Sequence, residues 1–474
     1  MSGLPVLVAG LGVSGRAAVE ALTGEGAQVR TFDDQDEDAD TADVAALDSA
    51  HLVVASPGLP PHHPLISAAV ARGIPVWSEV ELAWRVRAHR GDRGPAPWLA
   101  VTGTNGKTTT VGMLAAMLTA AGENAPAVGN VGPPVVAAAL DPSHDVLAVE
   151  LSSFQLHFTR SLAAQAAALL NIAPDHLDWH GGLEAYVAAK ASIYRDVVVA
   201  CVYDVADPLL EDLVRAADVA EGARAVGFTV GIPGPGQLGL VDGVLVDRAF
   251  HAPPDDPFRT RAAEELATLD DLAHLAGPAG LAPHVLNDAL AAAALARAHG
   301  VPASAVAAGL RSFTPGAHRT VHVATVGDVH FVDDSKATNA HAAGAALSSF
   351  APGTVVWIAG GLAKGARFDA LVRDHADRLR GAVVIGVDQQ PWTDALARHA
   401  PGIPVIAVDP TDTGTVMTRA VREARRLARP GDTVLLAPAG ASMDQFRSYA
   451  HRGEAFARAV AELGLDVADD APGG

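Results

Sequence analysis

The sequence predicts an α/β protein of three domains, and three observations lead to this prediction. The chain has 474 residues, about three times a typical domain length of ~150 residues. Short apolar runs alternate with helical segments along most of the chain, as they do in parallel sheets covered by helices. Hydrophobic residues make up 49% and charged residues 19%, which supplies several cores and excludes a wholly disordered polyelectrolyte.

The first predicted domain, residues 1–94, begins as a Rossmann-like unit. The apolar run Pro5-Val-Leu-Val-Ala predicts a buried strand, and Arg16 to Leu22 predicts the helix after it. Between them lies Gly10-Leu-Gly-Val-Ser-Gly15, the glycine spacing of a turn that approaches a nucleotide phosphate closely.

Two further strands place polar turns at the same edge of this first sheet. Strand Gln28 to Phe32 ends at Asp33, about where a Rossmann-like unit has an acidic residue near a sugar hydroxyl. Strand His51 to Ala55 runs into a turn that contains Gly58. Nucleotide-sized ligands bind at such strand ends.

A second domain, residues 95–315, begins after a Gly- and Pro-rich linker with strand Trp98 to Val101 and helix Thr108 to Ala121. The loop between them predicts an ATP site, since glycine N–H groups and a helix N-terminus face a polyphosphate. Val101 stands where the full motif has its first glycine, so a chance glycine turn is the alternative. The loop residues are Gly103, Thr104, Asn105, Gly106, Lys107, Thr108 and Thr109.

Three other residues of this domain are candidates for metal chemistry. Glu150 ends an apolar strand beside the phosphate loop, where a carboxylate suits Mg²⁺, although a helix cap is the alternative. His176 follows the next strand in a stretch that Gly181-Gly182 predicts to be a loop. Lys190 lies in an apolar helical stretch, where burial would leave a neutral amine able to react with CO₂. The alternative interpretation is a surface lysine whose alkyl chain packs on apolar side chains while its ammonium group reaches solvent.

Lysine is scarce in this chain, which makes each one informative. Only Lys107, Lys190, Lys336 and Lys364 are present, so 30 of the 34 basic residues are arginine. Sites that need a compact or deprotonatable amine resist replacement by arginine. The last two lysines lie in loops at strand ends of the third predicted domain, residues 316–474, and indicate anion recognition there.

Charge and cysteine content restrict the partners. The formal net charge of −20 disfavours binding to nucleic acid and anionic lipid. A single cysteine, Cys201, favours a reducing compartment, and no stretch predicts a signal peptide or a membrane anchor. We therefore expect a cytoplasmic protein.

Taken in order, the motifs resemble those of the Mur ligase family, and within it the D-glutamate-adding members. The resemblance covers nearly the whole chain, and its Ser-Ser-Phe-Gln and Asp-Ser-Lys-Ala-Thr-Asn strings are the most discriminating. The strings are Gly10-Leu-Gly-Val-Ser-Gly15, Gly103-Thr-Asn-Gly-Lys-Thr108, Val149-Glu-Leu-Ser-Ser-Phe-Gln155, Asn171-Ile-Ala-Pro-Asp-His176, Asp334-Ser-Lys-Ala-Thr-Asn339 and Ser442-Met-Asp-Gln-Phe446.

The resemblance implies a central P-loop ATPase domain, a C-terminal Rossmann-like domain and a role for each candidate residue. It implies UDP-sugar contacts at Ser14, Asp33, Gly58, Asn130 and Ser152. It implies ATP contacts at the phosphate loop, Asn287, Arg319 and Asp334, and D-glutamate contacts at Lys336, Thr338, Lys364, Ser442 and Tyr449. It implies two Mg²⁺ ions, held by Thr108, Glu150, His176 and Lys190 as a carbamate, with Lys107, His176 and Lys190 catalytic. Asn287 is the nearest match to an asparagine motif that this chain departs from at His284-Val-Leu-Asn-Asp288.

The implied activity is an ATP-dependent ligase of peptidoglycan synthesis, acting as a monomer on UDP-N-acetylmuramoyl-L-alanine and D-glutamate. A sibling ligase that adds another amino acid is the first alternative, since one side-chain pocket decides between them. An NAD-dependent dehydrogenase would rest on the first glycine motif alone. A regulatory nucleotide-binding protein is the third alternative.

Overall fold

The computed structural model describes residues 1–36, 38–253, 255–277 and 280–469. These residues form two compact units, of which the first contains residues 1–272 and 285–313 and the second contains residues 273–284 and those from 314 onward. The first unit contains two separate sheets and the second contains one. The mixed α/β fold is confirmed, and the domain boundaries at 94/95 and 315/316 stay a prediction.

The strands of the described residues fall in three sheets. They are β1 (Pro5–Ala9), β2 (Gln28–Phe32), β3 (Leu52–Ala55), β4 (Val76–Ser78), β5 (Trp98–Thr102), β6 (Ala127–Gly129), β7 (Leu147–Glu150), β8 (Ala166–Leu169), β9 (Ala200–Asp204), β10 (Arg224–Phe228), β11 (Gln237–Val241), β12 (Val244–Asp247), β13 (Glu264–Thr268), β14 (Val321–Val326), β15 (Val329–Asp333), β16 (Val355–Gly360), β17 (Leu379–Ile385), β18 (Val405–Ala407) and β19 (Thr433–Ala439).

Helices connect most of the parallel strands. They are α1 (Val13–Gly24), α2 (Pro64–Ala71), α3 (Glu79–Val86), α4 (Lys107–Ala120), α5 (Val135–Ala139), α6 (Ser153–His157), α7 (Leu177–His180), α8 (Leu183–Ala191), α9 (Pro208–Arg215), α10 (Pro283–His299), α11 (Ala303–Ser312), α12 (Ala340–Ser348), α13 (Asp369–His375), α14 (Gln390–His399), α15 (Val416–Leu427) and α16 (Tyr449–Asp469). Short 3-10 helices cover Val44–Ser49, Gly91–Arg93, Ser192–Tyr194, Arg259–Arg261, Leu269–Leu275 and Ala376–Arg378.

The first sheet is parallel, in the order β2-β1-β3-β4. The glycine motif after β1 lets α1 approach that strand closely. A Cβ at position 15 would lie 1.8 Å from the Gly10 carbonyl oxygen, so a larger residue there would push the helix away. The turn and the N-terminus of α1 therefore stand at the carboxyl end of β1, as the sequence predicts.

The second sheet has the order β13-β12-β11-β10-β9-β8-β5-β7-β6. Its strands are parallel from β6 to β11, and β12 and β13 extend the sheet as antiparallel strands. Strand β5, which leads into the phosphate loop, lies between β7 and β8 and is buried along its whole length. The segment 206–283, whose glycines, prolines and acidic residues indicate hairpins and loops, supplies the last four strands of this sheet and α9, and β11 and β12 form such a hairpin.

A buried ion pair joins α10 to the antiparallel end of this sheet. Arg297 Nε lies 2.9 Å from Asp247 Oδ2, and the side chains are 10% and 0% exposed. The same guanidinium also binds the Glu264 carboxylate. The pair fixes α10 against β12 and β13, and α10 carries the candidate nucleotide residue Asn287 in its second turn.

We expect the substitution Arg297→Ala to lower the free energy of unfolding by about 3 kcal/mol, because it leaves a buried carboxylate without its cation. The measurement is urea unfolding followed by circular dichroism. Arg311→Ala is the matched control, since the Arg311 side chain, which pairs with Asp271, is 57% exposed. An ion pair at the surface should contribute no more than about 1 kcal/mol. An equal loss in the two variants would contradict the prediction.

The sheet of the second unit has the order β14-β15-β19-β16-β17-β18, and only β14 is antiparallel. Alternate side chains of β16 enter two separate cores, with Trp357 in one and Ile358 in the other. Helices therefore cover both faces of this sheet, as expected of a doubly wound unit. None of the helices traced in the described part of the chain is long and apolar enough to cross a membrane.

Candidate active site

The phosphate loop is shaped by glycines and by one carboxylate of α10. Gly106 has φ +84°, and a Cβ there would lie 2.3 Å from Asp288 Oδ1, so the position requires glycine for two reasons. Lys107 donates from Nζ to the carbonyl oxygens of Gly103 and Thr104, both at 2.9 Å. The lysine ammonium therefore lies over the loop, at the N-terminus of α4.

Glu150 connects the loop to the neighbouring strand ends. Its Oε2 accepts a hydrogen bond from Thr108 Oγ1 at 2.7 Å, and its Oε1 accepts one from Asn130 Nδ2 at 2.8 Å. The residue is 1% exposed and pairs with Val101 and Gly129 in the sheet. A carboxylate beside a threonine hydroxyl supplies the hard oxygen donors that suit Mg²⁺.

Lys190 is buried against the same loop rather than extended into solvent. It is 2% exposed, and its Nζ donates to the Gly103 carbonyl oxygen at 2.7 Å. Burial lowers the pKa of Lys190 well below its usual value, and the charge of Lys107 lowers it further. The two amines therefore meet at one carbonyl oxygen, and burial shifts the protonation equilibrium of Lys190 toward the neutral amine.

Two residues that support the loop were not predicted as site residues. Asn171 accepts the Asn105 N–H at Oδ1, 2.9 Å, and donates from Nδ2 to the Asn105 carbonyl at 3.2 Å. The Tyr186 hydroxyl lies 2.8 Å from Thr104 Oγ1. Tyr186 precedes Lys190 by one helical turn, a spacing that places both on one face of α8 and was the available signal.

His176 stands at the start of α7 with φ +52°. Its Nε2 lies 3.7 Å from Asp175 Oδ2, and its ring packs edge-on against Phe154 at 4.7 Å between centroids. Residues 177–180 form one helical turn, so the prediction of a loop was wrong for that part. His180 contacts Ser153 Oγ through Nε2 at 2.9 Å, and burial lowers its pKa to about 4.

Ser152, which the resemblance assigns to the UDP-sugar, is also the N-cap residue of α6. Its side chain caps α6 by accepting the Gln155 N–H at 3.2 Å, and the Gln155 side chain accepts the Ser152 N–H at 2.9 Å. This capping box fixes the chain directly after Glu150.

Glu79 lies at the start of α3 and links this helix to α5. Its Oε1 accepts the Val136 N–H at 2.8 Å.

We expect Glu79 to make the protein less stable as the pH rises. Burial raises its pKa to about 7, against the hydrogen bonds that favour the carboxylate. The folded state then retains a proton that the unfolded state has lost, so this stabilisation is complete below about pH 4.5 and is lost as the pH rises through about 7. The full change amounts to about 3 kcal/mol.

The measurement is urea unfolding of Glu79→Gln and of the unsubstituted protein at pH 5.5 and pH 8. Because glutamine cannot ionise, the variant should gain relative stability at the higher pH. Glu81→Gln is the matched control. Burial alone would raise the pKa of Glu81, but hydrogen bonds from Ser161, Arg160 and Arg85 together lower it, so this carboxylate is ionised in the folded and unfolded states at both pH values and its variant should show no pH response. An equal pH response in the two variants would contradict this account.

The candidate UDP-sugar residues of the first sheet lie at its carboxyl edge. Asp33 Oδ2 accepts the Leu11 N–H of the glycine turn at 2.7 Å, and this hydrogen bond lowers the pKa of Asp33. Ser14 is half-buried in the first turn of α1, and Gly58 is exposed after β3. Asp33 therefore holds the turn while keeping its carboxylate charge.

Asn287 reaches the carboxyl end of β9. Its Nδ2 lies 3.5 Å from Asp204 Oδ2, and its buried Oδ1 has no hydrogen-bond partner among the residues that the structure describes. Burial raises the pKa of Asp204. An acceptor that needs a donor at this edge of the nucleotide-binding sheet is consistent with a contact to a base.

In the second unit, the predicted residues after β15 include a buried carboxyl group. Asp334 Oδ1 accepts the Thr320 N–H at 3.1 Å, and burial raises its pKa to about 7 against this bond and the Arg319 charge. Lys336 Nζ lies 3.9 Å from the ring centroid of Tyr449, and the Thr338 N–H donates to the Lys336 carbonyl at 2.8 Å.

Lys364 and Ser442 follow neighbouring strands of this unit. Lys364 is exposed after β16 with φ +49°, and Ser442 is 4% exposed after β19. Arg452, which was not predicted, is fully buried beneath these loops and donates to Ser335 and to the Gly440 carbonyl. A single arginine in a helical stretch gives no sequence signal that it will be buried.

The fold and the loop define a nucleotide-binding α/β enzyme, since a strand, a glycine loop with Lys107 and a neighbouring carboxylate stand at one sheet edge. The Mur ligase middle domain matches residues 101–230. The glutamate ligase domain of Mur ligases matches residues 318–440.

Relatives at high identity make the assignment particular. UDP-N-acetylmuramoylalanine–D-glutamate ligase of Streptomyces coelicolor is 57% identical over 98% of this chain and 99% of its own length. The same enzyme of Bifidobacterium adolescentis is 50% identical over 97% of each chain. The chain therefore belongs to the Mur ligase family, in its group of UDP-N-acetylmuramoylalanine–D-glutamate ligases.

Solved structures share the fold at low identity. UDP-N-acetylmuramate-alanine ligase MurC of Thermotoga maritima has a TM-score of 0.56 at 18% identity, covering 97% of this chain and 100% of its own. MurF of the same organism, in complex with ADP, has a TM-score of 0.55 at 17% identity, covering 99% and 96%. The three-domain α/β prediction is confirmed by this likeness.

Proposed function

We propose that this protein is the ATP-dependent ligase that joins D-glutamate to UDP-N-acetylmuramoyl-L-alanine in peptidoglycan precursor synthesis. The observation that carries the proposal is the meeting of Lys107 and Lys190 at the Gly103 carbonyl, beside Thr108 and the buried Glu150. The sequence identity to D-glutamate ligases over nearly the whole chain supports the choice of substrates.

The carboxyl group must be activated before it can form an amide, because hydroxide is a poor leaving group. A carboxylate and an amine do not condense in water, so the γ-phosphoryl group of ATP is first transferred to the carboxylate of UDP-N-acetylmuramoyl-L-alanine. Lys107 neutralises phosphate charge that would repel the attacking carboxylate, which stabilises the transition state electrostatically. The D-glutamate amine then displaces phosphate from the acyl phosphate.

The donor set near the loop fits Mg²⁺. Thr108 and Glu150 would hold one ion. Glu150, His176 and Lys190 as a carbamate would hold a second, as the resemblance to the family implies. Bound Mg²⁺ supplies charge neutralisation at the phosphate oxygens. Lys190 suits carbamate formation because its amine is buried, and a carbamate replaces a cation with an oxygen ligand.

The remaining predicted residues are assigned to the substrates. Ser14, Asp33, Gly58, Asn130 and Ser152 would contact the UDP-sugar. Asn287, Arg319 and Asp334 would contact ATP. Lys336, Thr338, Lys364, Ser442 and Tyr449 would bind D-glutamate.

The protein is proposed to act as a cytoplasmic monomer without a nucleic-acid partner. The formal charge of −20 opposes binding to polyanions, and Cys201, the single cysteine, is a buried thiol.

The test is phosphate release with ATP, Mg²⁺, UDP-N-acetylmuramoyl-L-alanine and D-glutamate, leaving out one component at a time. Turnover should require all four and should fail with L-glutamate, L-alanine or a diamino acid in place of D-glutamate. Phosphate release that ignores the omission of the amino acid, or that prefers another one, would reject the proposal.

A further inference from the structure

Two side chains of one segment bind the loop that follows β17 in the second unit. Val387 donates its backbone N–H to Asp444 Oδ2 at 3.0 Å. Gly386 donates its N–H to Gln445 Oε1 at 2.8 Å. Both donors come directly after β17, so the segment after β19 continues the hydrogen bonding of that strand with side chains instead of backbone.

The same segment carries Ser442 and is joined to the loop that carries Lys364. The Ser442 carbonyl accepts the Phe446 N–H at 2.9 Å, which closes a tight turn around Asp444. Leu362 and Ala441 exchange two backbone hydrogen bonds of 2.8 and 3.0 Å. Three strand ends are therefore linked, and the two candidate D-glutamate residues stand on two of them.

Burial of apolar side chains contributes little to this arrangement at its outer face. Leu362 is 41%, Val387 is 60% and Met443 is 74% exposed. Phe446 anchors the end of the Ser442 segment in the core at 8% exposed, but the turn before it has no such anchor, so the position of that turn relative to the loop after β17 depends on the polar contacts between them.

We propose that Asp444 and Gln445 are positioning residues for the amino-acid substrate, which hold the Ser442 segment in place through the backbone N–H groups of Val387 and Gly386. This inference rests on the proposed function. The role of Asp444 is that of a hydrogen-bond acceptor, since a negative charge beside a site for a dicarboxylate would oppose binding. An asparagine oxygen can accept the same bond without the charge.

The experiment measures steady-state kinetics of Asp444→Ala, Asp444→Asn and Gln445→Ala with each substrate varied in turn. Both alanine variants should raise the KM for D-glutamate by about tenfold. The KM values for ATP and for UDP-N-acetylmuramoyl-L-alanine should change by less than about twofold, as should every constant of Asp444→Asn. Asp388→Ala is the matched control, because that exposed carboxylate one residue after Val387 accepts the Gln390 N–H in a local turn.

Each outcome decides between the proposals. If the unsubstituted protein shows no phosphate release that depends on D-glutamate, the proposed function is wrong. If it turns over but both alanine variants keep its KM for D-glutamate, or if Asp444→Asn is as impaired as Asp444→Ala, the positioning role is wrong. A fall in thermal stability with a lower kcat and an unchanged KM would indicate a structural role only, and would also reject the inference. A variant that fails to fold leaves the decision to the other two.

Discussion

Lys190→Arg is expected to lower kcat by about a thousandfold. The Lys190 side chain is 2% exposed and donates to the Gly103 carbonyl at 2.7 Å, so arginine meets a closed space sized for an ammonium or amine. A guanidinium stays charged at any accessible pH and does not react with CO₂, so the carbamate that we propose as a metal ligand cannot form. The measurement is D-glutamate-dependent phosphate release at saturating substrates.

Removal of CO₂ separates this explanation from a loss of folding. Activity of the unsubstituted protein should fall in CO₂-depleted buffer and return when bicarbonate is added, and the residual activity of Lys190→Arg should not respond. Lys190→Met tests the volume argument, since it is neutral and unbranched but cannot be carbamylated, and should lose a similar amount. Full activity of either variant, or of the unsubstituted protein without CO₂, would rule out a catalytic carbamate.

The local parts of the site are the parts that the sequence predicts well. The phosphate loop is encoded in seven consecutive residues between a strand and a helix, so spacing alone indicates its shape. Glu150 follows from its place at a strand end. Lys190 was identified through the scarcity of lysine, and burial against the loop is consistent with that reasoning.

Residues that act through tertiary approach could not be predicted in this way. Arg452 is buried beneath loops more than 100 positions earlier in the chain, as its bond to Ser335 shows, and nothing in its neighbours in sequence indicates this. Asn171 supports the phosphate loop from the loop after β8, 66 positions from Asn105. Such contacts depend on the order of strands in the sheet, which local patterns do not contain.

The segment 206–283 illustrates the same limit for the fold. Its glycines, prolines and acidic residues are typical of hairpins and loops, and β11 and β12 do form a hairpin, but nothing in the sequence indicates that β10 to β13 extend the second sheet. Strand β12 carries Asp247, whose partner Arg297 lies on α10, 50 positions away. Tertiary pairing overrides weak local preference here, as is common for strands.

Lys107→Arg is expected to be as damaging as Lys107→Ala, with kcat lower by about a thousandfold in both. The ammonium is held by two carbonyl oxygens at 2.9 Å each, at the N-terminus of α4, and serves as a compact charge next to the phosphates. A guanidinium is wider and planar, so it cannot keep both contacts and stay clear of the nucleotide.

The measurement compares kcat with ADP affinity from calorimetry, because a residue that acts on the transferred phosphoryl group should affect turnover far more than binding of the diphosphate. Arg215→Ala is the matched control, since it also removes one positive charge. The Arg215 side chain is 74% exposed and pairs with Glu211 at the surface. This variant should leave both quantities unchanged. If Lys107→Arg retained most of kcat, any cation at the loop would suffice, and the argument from the scarcity of lysine would fail at its strongest position.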